Sequence, residues 1–184
     1  MNKTVVVNLK AIKDCMMAIP GGGSFKYNLS GVYIEDRDGY RHYVGMNGHI
    51  LVHAYETVEK GDALKKPICI VPRGKFVCLS KNKYADLSVV DGNTALINNG
   101  INKIACDVVF DEYPDYKNLI PTDAPKIKHY TCFDDKYLRI LHVILKHHYP
   151  LRPFQKDAFS PAVWDDEMDG IRYEIVIMPM RTFD

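Results

Sequence analysis

The chain has 184 residues, 47% of them hydrophobic and 26% charged, and its formal net charge is +1. That is one large domain, or about one and a half small ones, of ordinary globular composition. Nothing approaches the ~18 apolar residues of a membrane span, and near-zero net charge singles out no partner, so any nucleic-acid surface must arise from basic residues sorted onto one face. The opening MNKTVVVNLKAIKD is too briefly apolar for a signal peptide, which sets the expected location as cytoplasmic. Cys15, Cys69, Cys78, Cys106 and Cys132 are scattered, odd in number and never spaced CxxC, a pattern of buried thiols in a reducing compartment.

In chain order, TVVVNL is a short strand running into a helix, LKAIKDCMMAI. There Ile12, Cys15, Met16 and Ile19 share one arc, with Lys10, Lys13 and Asp14 on the other. Pro20 and three glycines end it. NLSGVYIED and YRHYVGMNGHILVHAYE are β-rich runs joined by Asp38-Gly39, a hairpin signal. The order then recurs. KPICIVP is a strand, RGKFVCLSKNK a short helix candidate, and ADLSVV, TALINN and KIACDVVF are strands with turns at Asp91-Gly92 and Asn99-Gly100. YPDYKNLIP closes that unit.

A third pass starts at Lys126 with the strand KIKHYTCF. DDKYLRILHVILKHH is the most periodic helix, placing Tyr137, Leu138, Leu141, Ile144 and Leu145 in one stripe. Lys136, Arg139, Lys146 and His147 lie opposite, with Val143 intruding. FSPAVWDDE and RYEIVIMPM follow as strands around Asp169-Gly170. Solvation explains one charged helix face; three in succession leave a shared basic surface equally open.

The strings YNLSGVYIE, YVGMNGHILVHA, ICIVPRGKF and FDEYPDYKNLIP resemble, in order and spacing, the middle domain of the bacterial β sliding clamp, the processivity subunit of DNA polymerase III. The family pattern runs as an L-N-G strand, a T-D-G-H-R-L-A turn, an I-V-P-R strand end and an F-P-D-Y…L-P closure. YEIVIMPMR resembles that family's terminal V-M-P-M-R-L. The likeness implies an α+β sliding-clamp (DNA clamp) fold, with repeated β-α-β-β-β units and helices on one face of antiparallel sheets. Residues 1–121 resemble the clamp's middle domain, and 122–184 the second half of its C-terminal domain. The family's first domain and the first half of its last have no counterpart. Met46-Asn47-Gly48-His49-Ile50-Leu51 stands where the family has Thr-Asp-Gly-His-Arg-Leu, losing a hydroxyl and a guanidinium, and Thr182-Phe183-Asp184 run on past the arginine.

The resemblance implies a non-catalytic protein without cofactor or metal. Its peptide pocket would comprise Leu29, Met46, Gly48, His49, Ile50, Leu51, Pro121, Val176, Met178, Pro179, Met180 and Arg181. Methionine thioethers and a proline that needs no ladder partner suit an adaptable apolar site, and fewer polar groups leave it less discriminating. Lys10, Lys13, Arg73, Lys75, Lys136, Arg139 and Lys146 would face duplex DNA through sequence-neutral phosphate contacts. The implied partners are DNA, polymerases or repair proteins with clamp-binding peptides, and a clamp loader. Three repeats per chain make a homotetrameric ring of twelve an arithmetically natural assembly, provided each unpaired third repeat is covered. A non-ring module competing for clamp-binding peptides is the alternative.

Other motifs are weaker. PGGGSFKYN lacks the spacing of a phosphate loop. Adjacent His147 and His148 diverge on a helix, which with His142 is poor geometry for one metal. Asp165, Asp166, Glu167 and Asp169 read as a solvated turn region rather than half of a metalloenzyme site.

Overall fold

A computed structural model of the chain describes residues 4–20, 29–59, 61–73, 83–109, 112–120, 131–145 and 153–180. Strand β1 (Thr4–Asn8) passes without a loop into helix α1 (Leu9–Met16). Asn8 makes that junction: its side-chain oxygen accepts the amides of Lys10 and Ala11 at 3.0 and 3.2 Å, capping donors the first turn leaves open. The helix stops at Met16, three residues short of the expected Ile19, and a turn through Met17–Ile19 leads to Pro20. Strands β2 (Val32–Arg37), β3 (Tyr40–Met46), β4 (Ile50–Thr57) and β5 (Ile68–Pro72) follow. β6 (Tyr84–Asp91), β7 (Thr94–Asn98) and β8 (Lys103–Val109) complete a second run. A 3₁₀ turn (Tyr116–Leu119), helix α2 (Asp135–Leu145), β9 (Ala162–Met168) and β10 (Ile171–Ile177) close the order.

The Asp-Gly hairpins form as predicted at two places. Asp38 and Gly39 (φ 54° and 81°), and Asp169 and Gly170 (φ 53° and 72°), take the left-handed pair of conformations that a two-residue turn demands. The third differs: Asp91 stays in β6, the turn falls on Gly92-Asn93, and a bulge at Val89/Asp91 takes up the extra residue.

Among the described residues the strands form one antiparallel sheet, in the order β1-β6-β7-β8-β5-β2-β3-β4-β10-β9. β4 pairs with β3 on one side and β10 on the other, from Ile50↔Ile177 to Tyr55↔Arg172. The C-terminal strand pair β9–β10 joins the rest of the sheet through the pairing of β10 with β4. The outer side of β1 is closed by side chains. Asp62 accepts the Val6 amide at 3.0 Å, and buried Arg41 donates to the Val6 carbonyl while pairing with Asp36 at 2.7 Å and Asp62 at 3.0 Å.

Strand alternation divides the side chains between two faces. One large core joins Ile12 and Cys15 of α1 and Ile144 and Leu145 of α2 to Val52 and Ala54 of β4 and Tyr173 and Ile175 of β10, so both helices lie on one face. Full burial of Ile12 alone contributes about 2 kcal/mol. α1 approaches β3 so closely that a Cβ at Gly45 would meet the Cys15 carbonyl oxygen at 2.0 Å. On the opposite face Leu29, Val44, Met46, Leu51, Tyr116, Val163 and Val176 form a second, smaller core.

Several expectations are corrected. Asp14 lies buried and not on a solvated arc, because the Tyr173 hydroxyl donates to it at 3.0 Å. Leu138 is 37% exposed, outside the buried stripe of α2. Asp165, Asp166 and Glu167 lie in β9, as the strand reading of FSPAVWDDE has them, and only Asp169 lies in the turn region expected for all four. Burial raises the thiol pKa of Cys69 to about 12 and of Cys106 to about 11, but Cys132 is exposed. The candidate helix over 73–83 and the strand over 126–133 fall largely outside the described residues, and 131–133 carry no regular structure.

Candidate functional site

Where β3 turns into β4, Asn47 holds the chain in a tight Asx turn. Its side-chain oxygen accepts the amides of His49 and Ile50 at 3.0 and 3.1 Å, with Gly48 at φ 85°, a conformation that favours glycine. Beside this turn the end of β10 leaves the sheet. Met178 donates its amide to the His49 carbonyl at 3.0 Å, Pro179 has no amide hydrogen to place, and Met180 donates to the Cys132 carbonyl at 2.8 Å. The Met-Pro-Met segment is therefore anchored at alternate residues and presents its side chains outside any ladder.

Between turn and segment lies a cavity of about 70 Å³, lined by Met46, Gly48, His49, Ile50, Leu51 and Val176, with Met178, Leu119 and Pro161 at its margin. Met46, Ile50, Leu51 and Val176 are buried, and Met178 is 42% exposed, so a fixed wall faces an adaptable thioether. His49, the one polar side chain in the lining, stacks near-parallel with Tyr137 of α2 at 5.9 Å between centroids, 20° from parallel.

Seven of the twelve predicted pocket residues line this cavity. Leu29 lies in the second core beneath, Pro179 and Met180 follow Met178 without lining the cavity, and Pro121 and Arg181 fall outside the described residues. Leu119 and Pro161 were missed. Leu119 sits in the YPDYKNLIP closure and is 47% exposed, an apolar exposure that periodicity could not reveal in a 3₁₀ turn. Pro161 precedes β9, in a run read as strand.

The basic candidates lie on and beside the helices, and most already have carboxylate partners. Lys10 donates to Asp14 at 2.7 Å and to the Tyr173 hydroxyl at 2.8 Å. Arg73 pairs with Asp107 at 2.6 Å, Lys136 with Asp134 at 3.0 Å and Arg139 with Asp135 at 2.7 Å. Lys13 is exposed, while Lys75 and Lys146 are outside the described residues. The exposed pairs of Arg73, Lys136 and Arg139 are weak and exchange readily, so they lower the available positive charge without abolishing it. No group of three or more metal-ligating side chains occurs among the described residues, and no helix there is long and apolar enough to cross a membrane.

One antiparallel sheet with both helices on one face and a seam closed by β4 and β10 defines the sliding-clamp fold. Solved DNA polymerase III β clamps match it over nearly the whole chain. Polymerase III β from Caulobacter crescentus matches with a TM-score of 0.75 at 18% identity, over 98% of this chain and 66% of that one. The β subunit from Thermotoga maritima gives 0.68 at 16% identity over 98% and 66%, and the sliding clamp from Pseudomonas aeruginosa 0.73 at 15% over 97% and 66%. The chain thus spans just under two thirds of each clamp. No protein-family model matches the sequence, and no curated protein sequence does.

Proposed function

We propose that this chain is a non-enzymatic, clamp-like tether, holding polymerase or repair proteins near DNA through short apolar peptides bound at the β4–β10 seam. The observation that carries the reading is the apolar cavity between the Asn47 turn and Met178, on a fold shared with clamps of DNA polymerase III. Its chemistry supports capture of leucine and phenylalanine side chains, with Met178 and Leu119 closing over them. Phosphate contacts from Lys10, Lys13, Arg73, Lys136 and Arg139 belong to the same proposal. So do assembly into a homotetrameric ring, the use of a clamp loader, and the division into a middle-domain-like 1–121 and a half-domain 122–184.

The test is a fluorescence titration of a labelled peptide carrying leucine and phenylalanine anchors. Wild type binds, and Met178→Asp, a charge at a half-exposed position the fold tolerates, abolishes binding with the thermal midpoint preserved. A wild-type protein that does not bind overturns the reading.

A second reading is favoured by the paired cations. With Lys10, Arg73, Lys136 and Arg139 each next to a carboxylate, a non-ring module that competes for clamp-binding peptides needs no strongly basic channel. Light scattering of the purified protein separates the two: a tetramer supports the ring, a monomer the competitor.

A further inference from the structure

On the face opposite the helices, His42 of β3 and His53 of β4 are 6% and 4% exposed. Three short contacts join them into a chain. His53 Nδ1 lies 2.7 Å from Glu174 Oε2, His53 Nε2 lies 2.9 Å from His42 Nδ1, and His42 Nε2 lies 3.3 Å from the Arg37 carbonyl oxygen. The imidazoles are 18° from parallel with centroids 5.1 Å apart, a separation that fits rings meeting edge to edge through those nitrogens.

Each contact needs one hydrogen. Two neutral imidazoles beside an ionised carboxylate carry two, so one contact would set lone pair against lone pair. Two imidazolium rings carry four, so two hydrogens would crowd one contact. Three hydrogens satisfy all three contacts with no net charge, whether the third sits on Glu174, His53 or His42. On His53, next to the carboxylate, it gives a Glu174 carboxylate, a His53 imidazolium donating from both nitrogens, and a neutral His42 donating from Nε2.

The surroundings agree. Glu35, the cross-strand partner of His42, is already held by Arg37 at 2.9 Å, by the Tyr116 hydroxyl at 2.8 Å and by Lys117 at 3.6 Å. Arg37 adds positive charge beside His42, and burial followed by the His53 charge lowers the His42 pKa, which disfavours a second proton. Tyr55 and Tyr116 lie against His53 at 5.0 and 5.2 Å, and Tyr40 lies 6.4 Å from His42. On β10 and β9, Arg172 is paired with Glu167 at 3.1 Å, and Asp165 stands across the ladder from Glu174.

We propose that Glu174, His53 and His42 form a single-proton clasp across the β4–β10 seam, with that proton on His53, which is strongest when the three groups together hold it. His53 pairs with Glu174 two positions along the same ladder from Leu51↔Val176, so the clasp fixes the strand register that builds the cavity wall. Loss of the proton on the alkaline side, or gain of a second on the acid side, removes one of its three bonds.

The experiment is a ring-nitrogen correlation spectrum of the full-length protein at neutral pH, which reads hydrogens directly and is independent of any peptide. The expected spectrum shows both nitrogens of His53 protonated and His42 as the Nε2–H tautomer. A bare nitrogen on His53, or a hydrogen on His42 Nδ1, overturns the proposal. In Glu174→Gln the His53 ring loses one hydrogen; retention of both would also overturn it. Should that variant fail to fold, the wild-type spectrum alone decides.

Discussion

The Met178 amide donates to the His49 carbonyl at 3.0 Å, one step beyond Ile50↔Ile177, the terminal pair of the β4–β10 ladder. The sheet's last bond is thus made outside either strand, between the two segments that wall the cavity. Met178 is held by its backbone, and its side chain is left free to adapt. Met180 is also held by its amide but does not line the cavity.

That contrast separates the two methionines. Met178→Ala keeps the amide bond and removes the thioether, so peptide affinity should fall about tenfold, the equivalent of losing ~1.4 kcal/mol of contact. Met180→Ala should leave affinity within about twofold. Calorimetric titration of both variants checks this, and equal losses would move the site towards Met180.

Gly45 is needed for close approach. Its replacement by alanine sets a methyl against the Cys15 backbone, and neither the helix nor the strand can yield cheaply. Gly45→Ala should destabilise the protein by about 3 kcal/mol, measured by urea unfolding.

Asp14 and Tyr173 tie α1 to β10 by a buried hydrogen bond to a carboxylate. Tyr173→Phe leaves Asp14 with Lys10 alone and should cost about 1.5–3 kcal/mol in the same assay. A loss near zero would mean that Lys10 satisfies the carboxylate by itself.

Burial, with the His53 charge second, lowers the His42 pKa in the folded state. The fold then binds fewer protons at this ring than the unfolded chain does. Its contribution to stability is complete above the unfolded imidazole value of about 6.5, and is lost as pH falls through the lowered folded value. Urea midpoints should therefore drop on acidification in the wild type, and less steeply in His42→Asn.

If the helices meet phosphates, their carboxylates are in competition with DNA. Asp134→Asn and Asp135→Asn free Lys136 and Arg139, so together they should strengthen duplex binding and steepen its salt dependence by up to about two contacts' worth. An unchanged slope in a filter-binding series would remove α2 from the DNA-facing surface.

The sequence made much of this fold legible where local chemistry decides conformation. Asp38-Gly39 and Asp169-Gly170 each dictated their turns, and alternation placed the strands. Most of the cavity lining falls in two short stretches, Met46–Leu51 and Val176–Met178, which is why it was partly legible, while Leu119 and Pro161 join it from elsewhere in the chain. Long-range pairing was not legible. Asp14 reads as a surface residue until Tyr173 arrives from 159 positions away. Lys136 and Arg139 read as free cations, although Asp134 and Asp135 lie only two and four residues back, because helical arcs record direction and not partners. The clasp was invisible for the same reason: His42 and His53 are each unremarkable until two hairpins bring them to 2.9 Å.

The seam between β4 and β10 also governs when the cavity can form. His53 and Glu174 are 121 positions apart, so this pairing closes late and slowly compared with the local hairpins. On a translating ribosome β4 stays an unpaired edge, open to mispairing, until residues 171–178 emerge from the exit tunnel. Newly made chains therefore acquire the cavity only after β10 has been made, and a peptide cannot find its site before then.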